Sequence, residues 1–283
     1  MKSALITAAC IGLAAYPGAS PLLAQLRDNS EKQMTCENGN SDSDRVRHCE
    51  IREQSVAGVG RLAIDQGQNG GATVKGWLRG DVLVRARVEA SADTKSDAAA
   101  MASRVLIDSS GGQVRAVGPD AANNASWSVS YEIFVPQNSD LVLKGNNGGV
   151  TVSDVRGQIR FDVNNGGVHL KRVAGDVSGS TVNGGIQVEL AGATWDGRQL
   201  ELTTHNGGVT VAMPTNYSAH LQAETGMGSI SSDFPAATQG TIQGANQGNS
   251  RPRLMDFSVG AGGPLIHITT SNGGIKLKRA DAE

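Results

Sequence analysis

The sequence has 283 residues, of which 37 are glycine, 4% are aromatic and 18% are charged, and its formal net charge at pH 7 is −2. This balance excludes the strongly basic composition of a typical nucleic-acid-binding protein, and the glycines lack the Gly-X-Y period of collagen. Abundant glycine with few aromatic residues instead indicates a turn-rich, all-β chain of one or two domains.

The first residues have the features of a secretory signal peptide. Lys2 supplies a positive charge, an apolar run extends from Ala4 to Ala15, and a small residue, Ala24, ends the segment. We predict that residues 1–24 form this signal and that cleavage follows Ala24. The apolar run is shorter than the ~20 residues that a membrane-spanning helix needs. We therefore expect an exported chain, periplasmic or extracellular, with no transmembrane segment after signal removal.

Two cysteines lie in the polar segment that follows, residues 25–54. Cys36 and Cys49 are 13 positions apart, and two such cysteines in an oxidising compartment predict one disulfide. A zinc site that includes His48 is the alternative, but Cys36 has no CxxC partner and no HxxxH pattern follows. The segment therefore predicts a surface loop stapled by a disulfide, and we expect no metal.

Residues 55–136 predict a β-rich capping region that contains one short helix. Two stretches, 81–88 and 127–135, alternate apolar and polar residues as half-buried strands do. Between them, Thr94 begins a capping pattern ahead of an alanine-rich run, which predicts a helix near residues 95–104. Because a stack of strands exposes unpaired edges at its ends, we expect this region to cover one end.

A tripeptide repeat dominates residues 137–283. Asn-Gly-Gly followed by Val or Ile begins at five positions, which are Asn147, Asn165, Asn183, Asn206 and Asn272. The successive intervals are 18, 18, 23 and 66 residues, and a degenerate copy surrounds Gly226 within the longest interval. An alternating apolar and polar stretch follows each clear motif, and a second one leads to the next asparagine. Each repeat therefore predicts two short strands and two turns.

The regular interval favours stacked, in-register coils over an antiparallel meander, which has no reason to place one tripeptide at every second turn. We predict an all-β fold, a β-solenoid of stacked two-strand coils of about 18–23 residues. Counting by twos from Ile159 through Val163 places Asn165 on the inner face. The asparagines are therefore expected to form a structural ladder of buried amides at one corner. The glycines after them are expected to permit positive φ and to avoid a Cβ clash.

Two segments depart from the regular pattern. Asn69-Gly70-Gly71 is a candidate for a distant earlier copy of the motif. Residues 238–250 carry no charge and few apolar side chains, so they predict a flexible insert in one coil.

Three stretches of the repeat region carry a family resemblance. The stretches are Tyr131 to Pro136, Leu141 to Val150 and Gly263 to Ile275. Together they resemble the bacterial putative-adhesin, β-strand-repeat family of exported proteins of unknown function, over residues 126–275. The resemblance implies an exported β-solenoid, and the family supplies no catalytic motif to transfer.

The sequence contains none of the common catalytic or metal motifs. The five histidines follow no HExxH spacing, and no GxSxG or Walker motif occurs. His169 and His205 flank Asn-Gly-Gly motifs, where solvated strand positions are the simpler interpretation. The Gly-Gly repeats lack the aspartate of the calcium-binding pattern GGxGxD. We therefore expect no cofactor.

An enzyme that acts on polysaccharides, a lyase or a hydrolase on a β-helix, is one alternative function. Such a site needs clustered carboxylates. Asp162 has Ser180 at the equivalent place one coil on, and Asp154 has Arg172 there, so the acidic residues do not stack.

Trp77 and Trp195 are candidate platforms for stacking of sugars, although a lone tryptophan is more often part of a core. The sequence as a whole predicts a non-enzymatic exported protein that presents a surface for binding or for envelope structure. An envelope protein or a glycan is the expected partner, and no nucleic acid is. A scaffold subunit of an envelope complex is the second alternative.

Overall fold

The computed structural model of the chain describes residues 34–36, 45–120, 124–234, 241–243 and 253–280. The predicted signal (1–24) lies outside these residues, and so does the predicted insert near 238–250, apart from 241–243. The described residues form one α-helix, α1 (Lys95–Ser103), and 21 β-strands. The strands are β1 (Val46–Ala57), β2 (Arg61–Asp65), β3 (Ala72–Trp77), β4 (Asp81–Ala92), β5 (Leu106–Asp108), β6 (Gln113–Val117), β7 (Ser126–Pro136), β8 (Asp140–Asn147), β9 (Val150–Ser153), β10 (Arg156–Asn165), β11 (Val168–Lys171), β12 (Ala174–Asn183), β13 (Ile186–Glu189), β14 (Gln199–Asn206), β15 (Val209–Pro214), β16 (Ala219–Met227), β17 (Ile230–Ser232), β18 (Thr241–Gln243), β19 (Arg253–Val259), β20 (Leu265–Asn272) and β21 (Ile275–Ala280).

The strands form two large sheets. The first sheet has the order β1-β4-β7-β3-β9-β11-β13-β15-β21-β17, and the second has the order β18-β19-β16-β20-β14-β12-β10-β8-β2-β6-β5. Along the repeats the chain alternates between the sheets, so that one strand of each sheet and two connecting corners make up one coil. The fold is therefore nearly all-β, as the composition and the alternating stretches indicate.

Neighbouring strands of the repeats run parallel, with a register of one whole repeat. In the second sheet, β10 pairs with β12 so that Asn165 lies opposite Asn183. In the first sheet, β11 pairs with β13 so that Val168 lies opposite Ile186. Both pairings join residues 18 positions apart. These strands therefore do not form the antiparallel meander that the Asn-Gly pairs could also have specified.

The core lies between the two sheets and consists of the inward side chains of the alternating strands. Val168 and Leu170 of β11 are buried, as are Ile159, Phe161 and Val163 of β10. This period of two, filled with branched aliphatic residues, is what specifies a strand with one buried face.

One position shows how neighbouring coils share the core volume. Phe161 lies opposite Gly179 of the next coil, and a Cβ at Gly179 would lie 2.4 Å from the Phe161 ring. Glycine at this position therefore makes room for the aromatic ring. The packing of one coil thus depends on the sequence of the next.

The distant copy at Asn69 lies in the same stack. β2 runs parallel to β8, β3 runs parallel to β9, and Asn69 forms a bridge to Asn147. Residues 61–77 thus contribute a coil to both sheets before the chain continues into β4, α1 and β5 to β7. The ranges of the domains stay a prediction.

Helix α1 begins at the predicted residue. Thr94 is its N-cap, and the Thr94 Oγ1 accepts a hydrogen bond of 3.1 Å from the Asp97 N–H. At the other end Arg52 of β1 donates from Nη2 to the Ala102 carbonyl at 2.8 Å and also donates to the Val105 carbonyl. Within the described part of the chain, no helix is long and apolar enough to span a membrane.

The last Asn-Gly-Gly motif in the sequence does not lie at the end of the stack of coils. β20 pairs with β14 on one side, so that Asn272 lies opposite Asn206. On its other side β20 pairs with β16, so that Asn272 lies opposite Met227. The degenerate copy is therefore beyond the final Asn-Gly-Gly motif in the stack, and the chain returns to place Asn272 between the two. This return accounts for the interval of 66 residues between Asn206 and Asn272.

Candidate binding surface

One corner of the stack carries the repeated asparagines on its outer surface. We call this set the amide corner; it consists of Asn69, Asn147, Asn165, Asn183, Asn206 and Asn272. From Asn147 onward, each Nδ2 donates to the Oδ1 of the asparagine on the preceding rung of the ladder, at a distance between 2.8 and 3.1 Å. The ladder of side-chain amides therefore runs unbroken through six coils.

The expectation that these asparagines point into the core is wrong. Asn165 is exposed, whereas Val163 is fully buried. The register of β10 with β12 passes over Asn164 between these two residues, so Asn164 and Asn165 both lie on the outside where the chain turns. The strict alternation that the count relied on ends at Val163.

Four threonines lie on the inner face, two residues before the asparagine position or its equivalent at Met227. Each is buried, and each hydroxyl donates to a glycine carbonyl of a neighbouring coil at 2.8 or 2.9 Å. The threonines are Thr181, Thr204, Thr225 and Thr270. Sequence reasoning missed them, although a threonine two residues before the rung position was visible in each of these copies. They satisfy buried carbonyls that would otherwise lack partners.

The first glycine of each motif is required by close approach of two coils. A Cβ at Gly166 would lie 2.1 Å from the Gly148 carbonyl oxygen, whereas one at Gly167 would lie 3.5 Å from the Gly185 oxygen. Among the first glycines of the five predicted motifs, only Gly148 has a φ in the left-handed region, at 157°. The expected avoidance of a Cβ clash therefore explains these glycines, and positive φ does not.

A second, shorter row of amides lies beside the amide corner. Asn164 Nδ2 donates to Asn146 Oδ1 at 2.9 Å, and Asn146 Nδ2 donates to Gln68 Oε1 at 2.7 Å. An amide has two N–H donors and two acceptor lone pairs, and the ladder uses one of each. The two rows together present uncharged donors and acceptors at regular intervals.

The other corner of the coil is ionic. Arg172 binds Asp154 of the preceding coil through two hydrogen bonds, Nε to Oδ1 at 2.6 Å and Nη2 to Oδ2 at 2.7 Å. Nearby, Arg198 Nε donates to Asp176 Oδ2 at 2.8 Å, and this hydrogen bond lowers the pKa of Asp176. These carboxylates pair with arginines and not with one another, so they do not form the acid–base pair that glycoside hydrolysis uses.

The described histidines lie on strands, where His169 and His205 are exposed and His48, His220 and His267 are partly buried. His169 and His205 are both exposed, as the simpler interpretation requires. His48 Nε2 lies 3.6 Å from Glu50 Oε2. Over the residues that the structure describes, no group of three His, Cys, Asp or Glu side chains could hold a metal ion.

A row of serine, histidine and aspartate crosses the outer face of the second sheet. His220 Nδ1 lies 3.2 Å from Ser258 Oγ, and His220 Nε2 lies 3.1 Å from Asp256 Oδ1. The residue types are those of a nucleophilic triad. They lie on the antiparallel pair β16 and β19, whose backbone groups are engaged in pairing with each other and with β20 and β18. On these described strands the row therefore has no free backbone donors of the kind that stabilise an oxyanion.

Neither tryptophan offers a free ring to a sugar. Trp195 is buried, with only 3% of its surface exposed. Trp77 stacks on Phe134 with 5.4 Å between ring centroids, and the Arg79 guanidinium lies 4.4 Å from the Trp77 ring. Both rings are occupied by the protein's own side chains.

Cys36 and Cys49 are joined in a disulfide with 5.8 Å between their Cα atoms. Cys49 lies in β1 opposite Glu89. The bond therefore ties the segment 34–36 to the strand at one edge of the first sheet.

Comparisons with known proteins identify the repeat region. The model of the Toastrack DUF4097 family matches residues 122–278, whereas no curated protein matches the sequence. Among solved structures, a putative cell adhesion protein of Clostridium sporogenes is 12% identical, with a TM-score of 0.40 and coverage of 82% of this chain and 100% of the other. A putative adhesin of Bacteroides fragilis is 11% identical, with a TM-score of 0.34 and coverage of 81% and 97%. A putative lipid binding protein of Parabacteroides distasonis is 11% identical, with a TM-score of 0.30 and coverage of 81% and 96%.

The family match agrees with the resemblance that the Asn-Gly-Gly repeats carry in the sequence. The matched residues begin just before β7 and end within β21. Because it spans more than half of the 283 residues, this chain belongs to the Toastrack DUF4097 family.

Proposed function

We propose that this chain is an exported, non-enzymatic β-solenoid of the adhesin type, which binds a neutral glycan of the cell envelope along the amide corner. The parallel, in-register pairing of successive repeats supports the solenoid. The Cys36–Cys49 disulfide supports export, since such bonds persist in oxidising compartments.

The observation that carries the proposal is the unbroken, exposed row of uncharged amides. Rungs in neighbouring strands of a sheet lie ~4.8 Å apart, and each keeps one N–H donor and one lone pair for a ligand. Hydroxyl groups both donate and accept, so a polymer rich in hydroxyls can pair with such a row without any charge. The second row at Asn146 and Asn164 widens the same surface.

The experiment compares binding of the purified exported chain to a panel of neutral and charged envelope glycans. The test variant is Asn146→Ala with Asn164→Ala, which removes the second row and leaves the ladder in place. The control is Lys171→Ala with Glu189→Ala, an exposed ion pair at the ionic corner. We expect saturable binding to neutral glycans that the test variant loses and the control keeps.

Other outcomes separate the alternatives. Equal binding by the test variant and the control would show that the second row takes no part in binding, and absence of saturable binding to every neutral glycan would overturn the amide corner as the binding surface. Shortening of the glycan chains would show that the protein is an enzyme. Saturable capture of an envelope protein with no glycan binding would show that it is a scaffold subunit. Finding the chain only in the cytoplasm after cell fractionation would overturn export.

A further inference from the structure

Asparagine followed by glycine is chemically labile, because glycine has no Cβ to hinder attack by its backbone nitrogen. The glycine nitrogen attacks the asparagine Cγ, ammonia leaves, and water opens the resulting succinimide to aspartate or isoaspartate. One ammonia is released and one water is consumed in total, and no oxidant or reductant takes part. The sequence contains seven Asn-Gly pairs, six in the amide corner and one at Asn38-Gly39.

In the amide corner the attacking nitrogen is engaged in a hydrogen bond. The Gly166 N–H donates to the Asn183 carbonyl at 3.1 Å, and the Gly184 N–H donates to the Asn206 carbonyl at 3.1 Å. The glycine after each of the other four asparagines donates to the neighbouring coil in the same way, at 2.8 to 3.0 Å. The nucleophile of every rung is therefore bonded to the next coil.

The asparagine side chain that would be attacked is held as well. The Asn165 amide donates to Asn147 Oδ1 at 2.9 Å and accepts from Asn183 Nδ2 at 2.8 Å. For the reaction, the Gly166 nitrogen must leave the Asn183 carbonyl and the Asn165 amide must rotate out of the ladder. Both changes require that two neighbouring coils separate locally.

We infer that the amide corner is a set of six latent deamidation sites that the stacking of coils keeps unreactive. The reaction proceeds from the small population of molecules in which a coil has opened, so its rate reports the integrity of the stack. No other property proposed for this chain is needed for the inference.

The two end rungs are held by fewer bonds than the interior rungs. The Asn69 Oδ1 accepts from Asn147, and among the described residues the Asn69 Nδ2 has no partner. The Asn272 Nδ2 donates to Asn206. On the other side Asn272 lies opposite Met227, whose side chain has no amide group to donate to Asn272. Deamidation therefore begins at Asn69 and Asn272 and reaches the interior rungs later.

Deamidation of one rung weakens both of its neighbours. Aspartate at position 165 no longer donates to Asn147 and places a carboxylate beside the Asn147 Oδ1. Isoaspartate adds an atom to the backbone and shifts the strand out of register with the next coil.

The test follows each Asn-Gly pair of the full chain by peptide mass mapping, in neutral buffer and in denaturant. In denaturant we expect all seven pairs to react at similar rates. In the folded chain we expect the interior rungs, Asn147, Asn165, Asn183 and Asn206, to react at least about tenfold more slowly, since an opening cost of ~1.4 kcal/mol already reduces the reactive population tenfold. Equal rates in the two conditions, or interior rungs that react before Asn69 and Asn272, would overturn the inference.

A pair of variants tests the coupling between rungs. Asn165→Asp breaks the ladder, whereas Gln187→Glu makes the same change of charge at an exposed position in the strand that follows Asn183. We expect Asn165→Asp to accelerate deamidation of Asn147 and Asn183 several-fold and Gln187→Glu to leave both rates unchanged. Equal rates in the two variants would contradict the coupling. If Asn165→Asp does not fold, the comparison of folded and denatured wild-type chain still decides the inference.

Discussion

At the scale of single residues, the two glycines of one motif have different roles. Gly166 approaches the backbone of the preceding coil, whereas a Cβ at Gly167 would come no closer than 3.5 Å to a neighbouring atom. We predict that Gly166→Ala lowers the free energy of unfolding by ~2–3 kcal/mol, the usual cost of forcing atoms into a packed site. Chemical denaturation measures this change. The matched control is Gly167→Ala, for which we expect a change of less than ~1 kcal/mol; equal losses in the two variants would show that steric contact between coils is not the cause.

The buried threonines make a second prediction at this scale. Thr204 is fully buried and donates to the Gly184 carbonyl at 2.8 Å, whereas its neighbour Thr203 is exposed. Thr204→Val removes the donor without a change of shape, so the free energy of unfolding is expected to fall by ~1–2 kcal/mol. Thr203→Val is expected to change it by ~0.5 kcal/mol or less. A Thr204→Ser variant that does not recover part of the loss would argue against the hydrogen bond.

At the scale of elements, β1 and α1 are joined by an arginine with a carboxylate partner. Arg52 Nε donates to Glu50 Oε1 at 2.9 Å, and this hydrogen bond lowers the pKa of Glu50 against the opposing effect of burial. A carboxyl whose pKa is lower in the folded than in the unfolded chain stabilises the fold above its unfolded pKa. That contribution is lost as the pH falls from about 4.5, the ordinary value, through the lower folded value.

The corresponding prediction concerns unfolding as a function of pH. Wild type is expected to lose more stability than Glu50→Gln between pH about 5 and pH about 3, because only wild type has this carboxyl to protonate. Denaturant titrations at a series of pH values measure the difference. Parallel curves for the two proteins would show that the Arg52–Glu50 pair contributes nothing to the junction of β1 with α1.

The elements that local pattern specifies were predictable, and those that depend on distant pairing were not. The repeats that give β8 to β15 were evident from alternation and a fixed interval, and Thr94 marked the start of α1. The outward orientation of Asn165 could not be read by counting, because alternation ends where the chain turns. The position of β20 between β14 and β16 depends on pairing across 66 residues, on which local periodicity carries no information.

At the scale of the whole molecule, we expect the stability of the stack to be approximately the sum of contributions from its coils and from the contacts between neighbouring coils. Deletion of residues 166–183 removes β11 and β12 and leaves Asn165 in register with Asn206. The deletion also brings Phe161 against Leu202 in place of Gly179, so the variant includes Phe161→Leu. We expect this protein to fold cooperatively with reduced stability, as followed by circular dichroism on heating. The same substitution with deletion of 166–174 removes a strand from one sheet only, and it is expected not to fold.

The disulfide is expected to stabilise the folded protein by restricting the conformations of the unfolded chain. Cys36→Ser with Cys49→Ser is expected to lower the free energy of unfolding by ~2–3 kcal/mol, the value for a loop of this length. The strand content should stay unchanged in circular dichroism, because the bond lies at the edge of the first sheet. Unchanged stability after substitution, with the bond shown to be formed in wild type, would contradict this role.

The ladder of asparagines also has a direction. All five hydrogen bonds of the ladder have the same direction, with the Nδ2 donating toward the coil that carries Asn69. The aligned amide dipoles reinforce one another, so the row has a donor end at Asn69 and an acceptor end at Asn272. On the proposed function, a linear glycan with two different ends would meet an asymmetric row, and one of its two orientations along the amide corner would be favoured.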